Sequence, residues 1–200
     1  MLHLARHLLL ASALATLTAC SGSELVGFHV SLKGGGAAQI TTRALVAEPK
    51  PGPAEVMATG IQWGNAHPAL VHSQGTVTDL AAVRFGDDSL RFVPKLDGEG
   101  PSLRVYLQRG PDKKWLQCLA LPKATRTSLA KLYDPTGKTS DFAQTIRLEV
   151  EGATAAIASS VHPSARGVEA GREGNRAFLL VPVETAIEAG PELIWQITWQ

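Results

Sequence analysis

Apolar residues recur at every second position in short runs along this chain, and each run is cut off by glycine or proline. That combination excludes most folds. Across Val26–Lys33, Phe28, Val30 and Leu32 share one face while His29 and Ser31 take the other, the period of a half-buried strand. Gly34-Gly35-Gly36 interrupts the run and Gln39–Val46 resumes it, so the pair predicts a β-hairpin. The same pattern predicts strands over Thr76–Phe85, Ser89–Val93, Ser102–Gln108, Trp115–Leu121, Thr145–Val150, Ala155–Val161, Arg176–Val183 and Leu193–Trp199. Gly86-Asp87-Asp88, Leu96–Pro101 and Gly110-Pro111-Asp112 supply turns between them.

Helical signals are few. Ala54–Trp63 follows Pro53 and reads as a short helix weakened by Gly60. Thr125–Leu132 is the better one, with Thr125 as N-cap and Leu129 and Leu132 three apart on one face. Glu48–Pro53, Asn65–Gln74 and His162–Asn175 read as loops. Most connections are too short for a crossover between parallel strands, which favours antiparallel pairing. The expected fold is therefore α+β and β-rich. It is one antiparallel-sheet domain over residues 25–200, an open sandwich or half-barrel, with one or two short helices.

The first twenty residues have a different character. A basic start with Arg6 precedes an apolar run of ten residues, Leu8–Leu17, which is short of the ~20 that a membrane span needs but fits a secretory signal. The stretch ends Leu17-Thr18-Ala19-Cys20. This resembles the lipobox of bacterial lipoproteins, in which small residues precede a cysteine that becomes the lipid-bearing N-terminus. The resemblance implies cleavage after Ala19, lipidation of Cys20 and a tether over residues 20–24. Stable anchoring takes more than one acyl chain, since each buried methylene contributes only ~0.8 kcal/mol. Ser21, where an aspartate would signal inner-membrane retention, points to the outer membrane in proteobacterial sorting.

Removing residues 1–19 takes away Arg6 alone among the charges and leaves 18 cations against 18 acids. A nucleic-acid-binding domain normally carries a basic excess, so no nucleic-acid partner is expected. Cys118, the other cysteine, lies in the apolar run Trp115–Leu121 and reads as a small buried hydrophobe rather than a reactive thiol.

Fragments of catalytic motifs occur, none complete. Gly137-Lys138-Thr139 lacks the glycine of a phosphate loop five residues earlier, where Leu132 stands. Ser128-Leu129-Ala130-Lys131 matches S-x-x-K without its companion motifs. His67 and His72 are five apart with no third ligand in view. No cofactor or metal is therefore expected, and no catalytic residue is assigned. Two surfaces remain. Leu193, Trp195, Ile197 and Trp199 share one face of a strand, as core or as the lining of an apolar cavity. Arg104–Trp115 mixes four cations with Tyr106 and Trp115 and reads as a solvated hairpin or a contact for lipid head groups.

Cys20, the strand-turn-strand Phe28–Gly36 with Gln39–Val46, and the Trp-bearing strand Leu193–Trp199 together resemble the lipoproteins of the mycobacterial LppM type. That resemblance implies a lipid-anchored β-rich domain with lipid or glycolipid as a ligand. It carries over no functional residue. The sequence thus favours a non-catalytic module of the cell envelope that binds a lipid, glycan or protein partner. Two other classes stay open. One is an envelope hydrolase built around Ser128, Lys131, His67 or His162; the other is a structural or assembly subunit.

Overall fold

The computed structural model describes residues 23–46, 55–58, 69–85, 88–95, 101–113 and 145–200. They are strand-rich and form two mostly antiparallel sheets with very little helix. The larger sheet has seven strands in the order β10-β11-β8-β1-β2-β4-β3 and the smaller has five in the order β5-β6-β7-β12-β9. In chain order these are β1 Ser23–Gly34, β2 Ala37–Val46, β3 Glu55–Ala58, β4 Ala69–Val77, β5 Arg84–Phe85 and β6 Leu90–Lys95. They continue with β7 Ser102–Leu107, β8 Thr145–Glu151, β9 Ala156–His162, β10 Glu169–Glu173, β11 Arg176–Pro182 and β12 Leu193–Trp199. A 3-10 turn spans Leu80–Ala82, and one short helix, α1, spans Val183–Ile187.

The alternation seen in the sequence decides which side chains turn inward. Phe28 and Val30 of β1 are buried while His29 between them is half-buried on the other face. β8 buries Ile146, Leu148 and Val150, β11 buries Ala177, Leu179 and Val181, and β7 buries Leu103, Val105 and Leu107. These rows belong to one continuous core shared by both sheets. Phe28 of the larger sheet meets Phe92 of the smaller edge to face, with ring centroids 5.4 Å apart at 68°, an arrangement worth ~0.5–1.5 kcal/mol beyond the area it buries.

The β1–β2 hairpin forms as the glycine cluster suggests. Gly34, Gly35 and Gly36 all have positive φ, at 84°, 60° and 85°, a run of left-handed residues that side chains would strain.

Elsewhere the structure departs from the sequence expectations. The sheet is not wholly antiparallel: β1 and β8 pair in parallel, from Gly27 opposite Arg147 to Ser31 opposite Glu151. More than a hundred residues separate the two strands in sequence, ample for the long return that parallel pairing requires. A Cβ at Gly27 would sit 2.6 Å from the Arg147 carbonyl oxygen, so this close pairing depends on glycine.

Glu55–Ala58, expected in a helix, is a strand paired with β4. Ala69–Gln74, expected as loop, belongs to β4. The strand expected over Thr76–Phe85 ends at Val77, where Asp79 caps the 3-10 turn by accepting the Ala81 N–H at 2.9 Å. The loop expected over His162–Asn175 contains β10, whose sequence EAGRE has no apolar alternation and whose register comes from pairing with β11. Trp115–Leu121 and Thr125–Leu132 lie outside the described residues.

Candidate functional site

The tryptophan strand β12 lies second from the edge of the smaller sheet, between the central strand β7 and the edge strand β9. Leu193, Trp195 and Ile197 are completely buried and Trp199 is 2% exposed, so the row is part of the core. Both indoles are also satisfied. Trp195 Nε1 donates to Ser159 Oγ at 3.0 Å and Trp199 Nε1 to the Asn175 carbonyl at 3.2 Å. Satisfied N–H groups are what allow tryptophan to sit so deep. These bonds hold β12 to β9 on one side and to the β10–β11 turn on the other.

The outer face of the larger sheet carries a charge cluster. His29 Nδ1 lies 3.4 Å from Glu149 Oε2, and its Nε2 lies 3.3 Å from Glu151 Oε2. The two carboxylates come from alternate residues of β8, which the parallel register sets beside β1. Arg147 closes the cluster, with Nε 2.8 Å and Nη2 2.7 Å from Glu149 Oε1. Burial alone would raise the Glu149 carboxyl, but Arg147, helped by His29 and Arg176, outweighs it and holds the group below its ordinary value. Arg147 and Glu149 pair as opposite charges, and the His29 ring lies between Glu149 and Glu151. Among the described residues, no three His, Cys, Asp or Glu side chains are grouped to hold a metal ion.

The outer face of the smaller sheet is built differently. The strand register aligns Arg84, Arg91, Tyr106, Ile194 and His162 in one row across five strands. The next outward row is Val93, Arg104, Gln196 and Ser160, and the third is Lys95, Ser102, Thr198 and Ala158. Two cations of the first row have partners: Arg84 Nε lies 3.0 Å from Asp88 Oδ1, and Arg91 Nη2 lies 3.2 Å from Glu192 Oε2. Arg91 also lies over the Tyr106 ring, 3.8 Å from its centroid. Arg104 and Lys95 are exposed, and among the described residues neither makes an ion pair. Val93, 41% exposed, stands directly opposite Arg104 and between Arg91 and Lys95 on its own strand.

The basic stretch noted from Arg104 onward is therefore divided by the fold. Arg104 and Tyr106 face out from β7, whereas the Arg109 side chain is only 9% exposed and donates from Nε to the Thr185 carbonyl of α1 at 2.9 Å. Lys113 pairs with Asp112 at 3.2 Å. Arg84, Arg91, Val93 and Lys95 went unnoticed as a group in the sequence. The available signal was phase: 91, 93 and 95 alternate with buried Leu90 and Phe92 just as 104 and 106 alternate with buried Leu103, Val105 and Leu107.

His162 is exposed at the end of β9. Cys20, Cys118, Ser128, Lys131 and His67 lie outside the described residues. Compared with family models, curated proteins and solved structures, the chain matches none.

Proposed function

We propose that this protein is a lipid-anchored module of the bacterial cell envelope that binds a lipid, glycan or protein partner and performs no catalysis itself. The observation that carries the proposal is the ending Leu17-Thr18-Ala19-Cys20, followed by a strand that begins at Ser23. Only Ser21 and Gly22 separate the proposed lipid-bearing residue from sheet structure. An anchor so close to a rigid body suits a domain that works at the bilayer rather than one that ranges through the surrounding compartment.

The form proposed for the body is an open sandwich with a single core. This is supported by the Phe28–Phe92 contact between the sheets and by Arg172 Nη1 of edge strand β10, which donates to the Ala156 carbonyl of edge strand β9 at 3.0 Å. The Ser21 position supports the outer membrane as its location.

The test is the mass of the N-terminal peptide from protein extracted with detergent. A peptide that begins at residue 20 and carries diacylglycerol plus an acyl chain is expected. The Cys20→Ala chain should move from the detergent phase to the aqueous phase on phase separation. Unmodified Cys20, or a wild type that stays in the aqueous phase, refutes the anchor.

A further inference from the structure

We propose that the outer face of the five-stranded sheet rests on an anionic bilayer surface. Arg91, Lys95 and Arg104 meet lipid phosphates there, and Val93 presses between them. The inference rests on the anchored-module reading and names the surface that such a module would use.

Charge placement is the first argument. The mature chain is neutral overall, yet this face gathers Arg84, Arg91, Lys95 and Arg104, and among the described residues only two acids, Asp88 and Glu192, pair with them. Arg84 stands directly opposite Arg91 in the ladder, and Arg104 is diagonal to both Arg91 and Lys95. Like charges set at such positions oppose folding slightly. Among the described residues nothing pairs with Arg104 or Lys95, and an anionic surface would supply their counter-charge.

The second argument is extent. Arg91 and Lys95 are four strand residues apart, or about 13 Å. A single small anion cannot span that distance, whereas a surface of repeated phosphates can.

The third is the apolar residue in the middle. Val93 is one of two large apolar side chains exposed among the described residues. It is enclosed by cations, and Tyr106 and Ile194 in the neighbouring row are half-buried. Cations combined with apolar contact describe a surface made for the lipid interface, whereas a polyanion in water would select cations alone.

Position relative to the anchor agrees. β1 begins at the end of the larger sheet where β8 begins and where antiparallel β11 runs into α1. The residues after β7 bind that same helix, through Arg109 to Thr185 and through the Gly110 N–H to the Ala186 carbonyl at 3.0 Å. The row of Arg91, Tyr106 and Ile194 thus lies toward the end at which the chain reaches Cys20. Only Ser21 and Gly22 lie between Cys20 and the start of β1, and a chain of that length reaches at most about 10 Å.

The test uses the mature chain, residues 20–200, with Cys20→Ala, so that binding does not depend on acylation. Cosedimentation with vesicles of phosphatidylcholine alone is compared with vesicles that also contain phosphatidylglycerol. Binding to the anionic vesicles only is expected, weakening with added salt. Arg104→Gln and Lys95→Gln should each lower the partition constant about five-fold, as loss of one cation at an anionic surface does. Val93→Asp should abolish binding, and near-UV circular dichroism of the buried tryptophans checks that each variant is folded. Lys33→Gln, exposed near the β1–β2 turn, should change nothing.

Equal binding to both vesicles, an effect of Lys33→Gln as large as that of Arg104→Gln, or displacement by an equal concentration of inorganic phosphate would each overturn the proposal. Retention by an acidic polysaccharide in place of vesicles would overturn it in favour of a glycan. Failure of the anchor reading appears separately, in the mass of the Cys20 peptide.

Discussion

Substituting Gly152 with alanine tests the packing at the junction of the two sheets. Gly152 follows β8 and exchanges two hydrogen bonds with Asn175: the Gly152 N–H donates to the Asn175 carbonyl, and Asn175 Nδ2 donates to the Gly152 carbonyl, each at 2.9 Å. The Trp199 indole reaches the same Asn175 carbonyl at 3.2 Å. A Cβ at position 152 would fall onto Trp199 Nε1 and lie 2.5 Å from Cδ1 and 2.8 Å from Cε2. The backbone at 152 is outside the left-handed region, so alanine meets no conformational objection and the whole penalty is steric. Trp199 is 2% exposed and has nowhere to retreat.

Overpacking of this kind costs ~1–3 kcal/mol, and displacing the indole forfeits a hydrogen bond worth ~0.5–1.5 kcal/mol net. Gly152→Ala should therefore destabilise the protein by about 2–4 kcal/mol. Urea unfolding followed by tryptophan fluorescence reads this as a midpoint lowered by about 1 M or more at unchanged slope. Adding Trp199→Phe, which removes the nitrogen that the new methyl strikes, should recover about 1 kcal/mol as coupling in a double-mutant cycle. A loss below about 0.5 kcal/mol, within the range of ordinary surface substitutions, would mean that the indole yields and that this junction is not close-packed.

Three further outcomes follow from the same geometry. Ser159→Ala strands the buried Trp195 N–H and should cost ~1–3 kcal/mol in the same unfolding assay, whereas an exposed neighbour such as Ser160→Ala should be neutral. Arg109→Met removes the guanidinium that holds the Thr185 carbonyl; faster amide exchange confined to α1 and its neighbours is expected, and an unchanged pattern would show the clamp to be idle. The depressed Glu149 carboxyl contributes stability that is fully present above the ordinary carboxylate range and is lost as pH falls through the lowered folded value. Wild type should therefore lose its advantage over Glu149→Gln below about pH 4, measured as the difference in urea midpoint across a pH series. An advantage that stays constant into acid would remove Glu149 from the account.

The β-hairpin Ser23–Val46, β6, β7, β8, β11 and β12 were all legible in the sequence, because each has an apolar face repeating every second residue; β9 was legible as well, as a short run between turn signals, although its burial does not alternate cleanly. The elements that were not legible lack that signal. β10 has no apolar alternation, and its partner β11 supplies what its own residues do not, with the Phe178 ring lying over Gly171. β3 and the first half of β4 follow a proline-rich stretch that disguises them, and they take their register from β2 and from one another.

Candidate surfaces divide along the same line. A face is a property of several strands at once, so one strand's sequence reveals its alternation but not its neighbours. Arg104 and Tyr106 drew notice because they are close in sequence. Arg91, Val93 and Lys95 join them only through the β6–β7 register. Conversely, Arg109, which looked like part of the same basic stretch, turns inward to α1.

By itself, the sequence determined the strand class and the inward faces of the strands, because these depend on local periodicity. The tertiary structure decided the parallel β1–β8 pairing, the burial of the Trp195 and Trp199 row and the grouping of the cations. Each of these depends on which distant strands lie side by side, and strand adjacency is set by the packing of a shared core rather than by any segment's own preference.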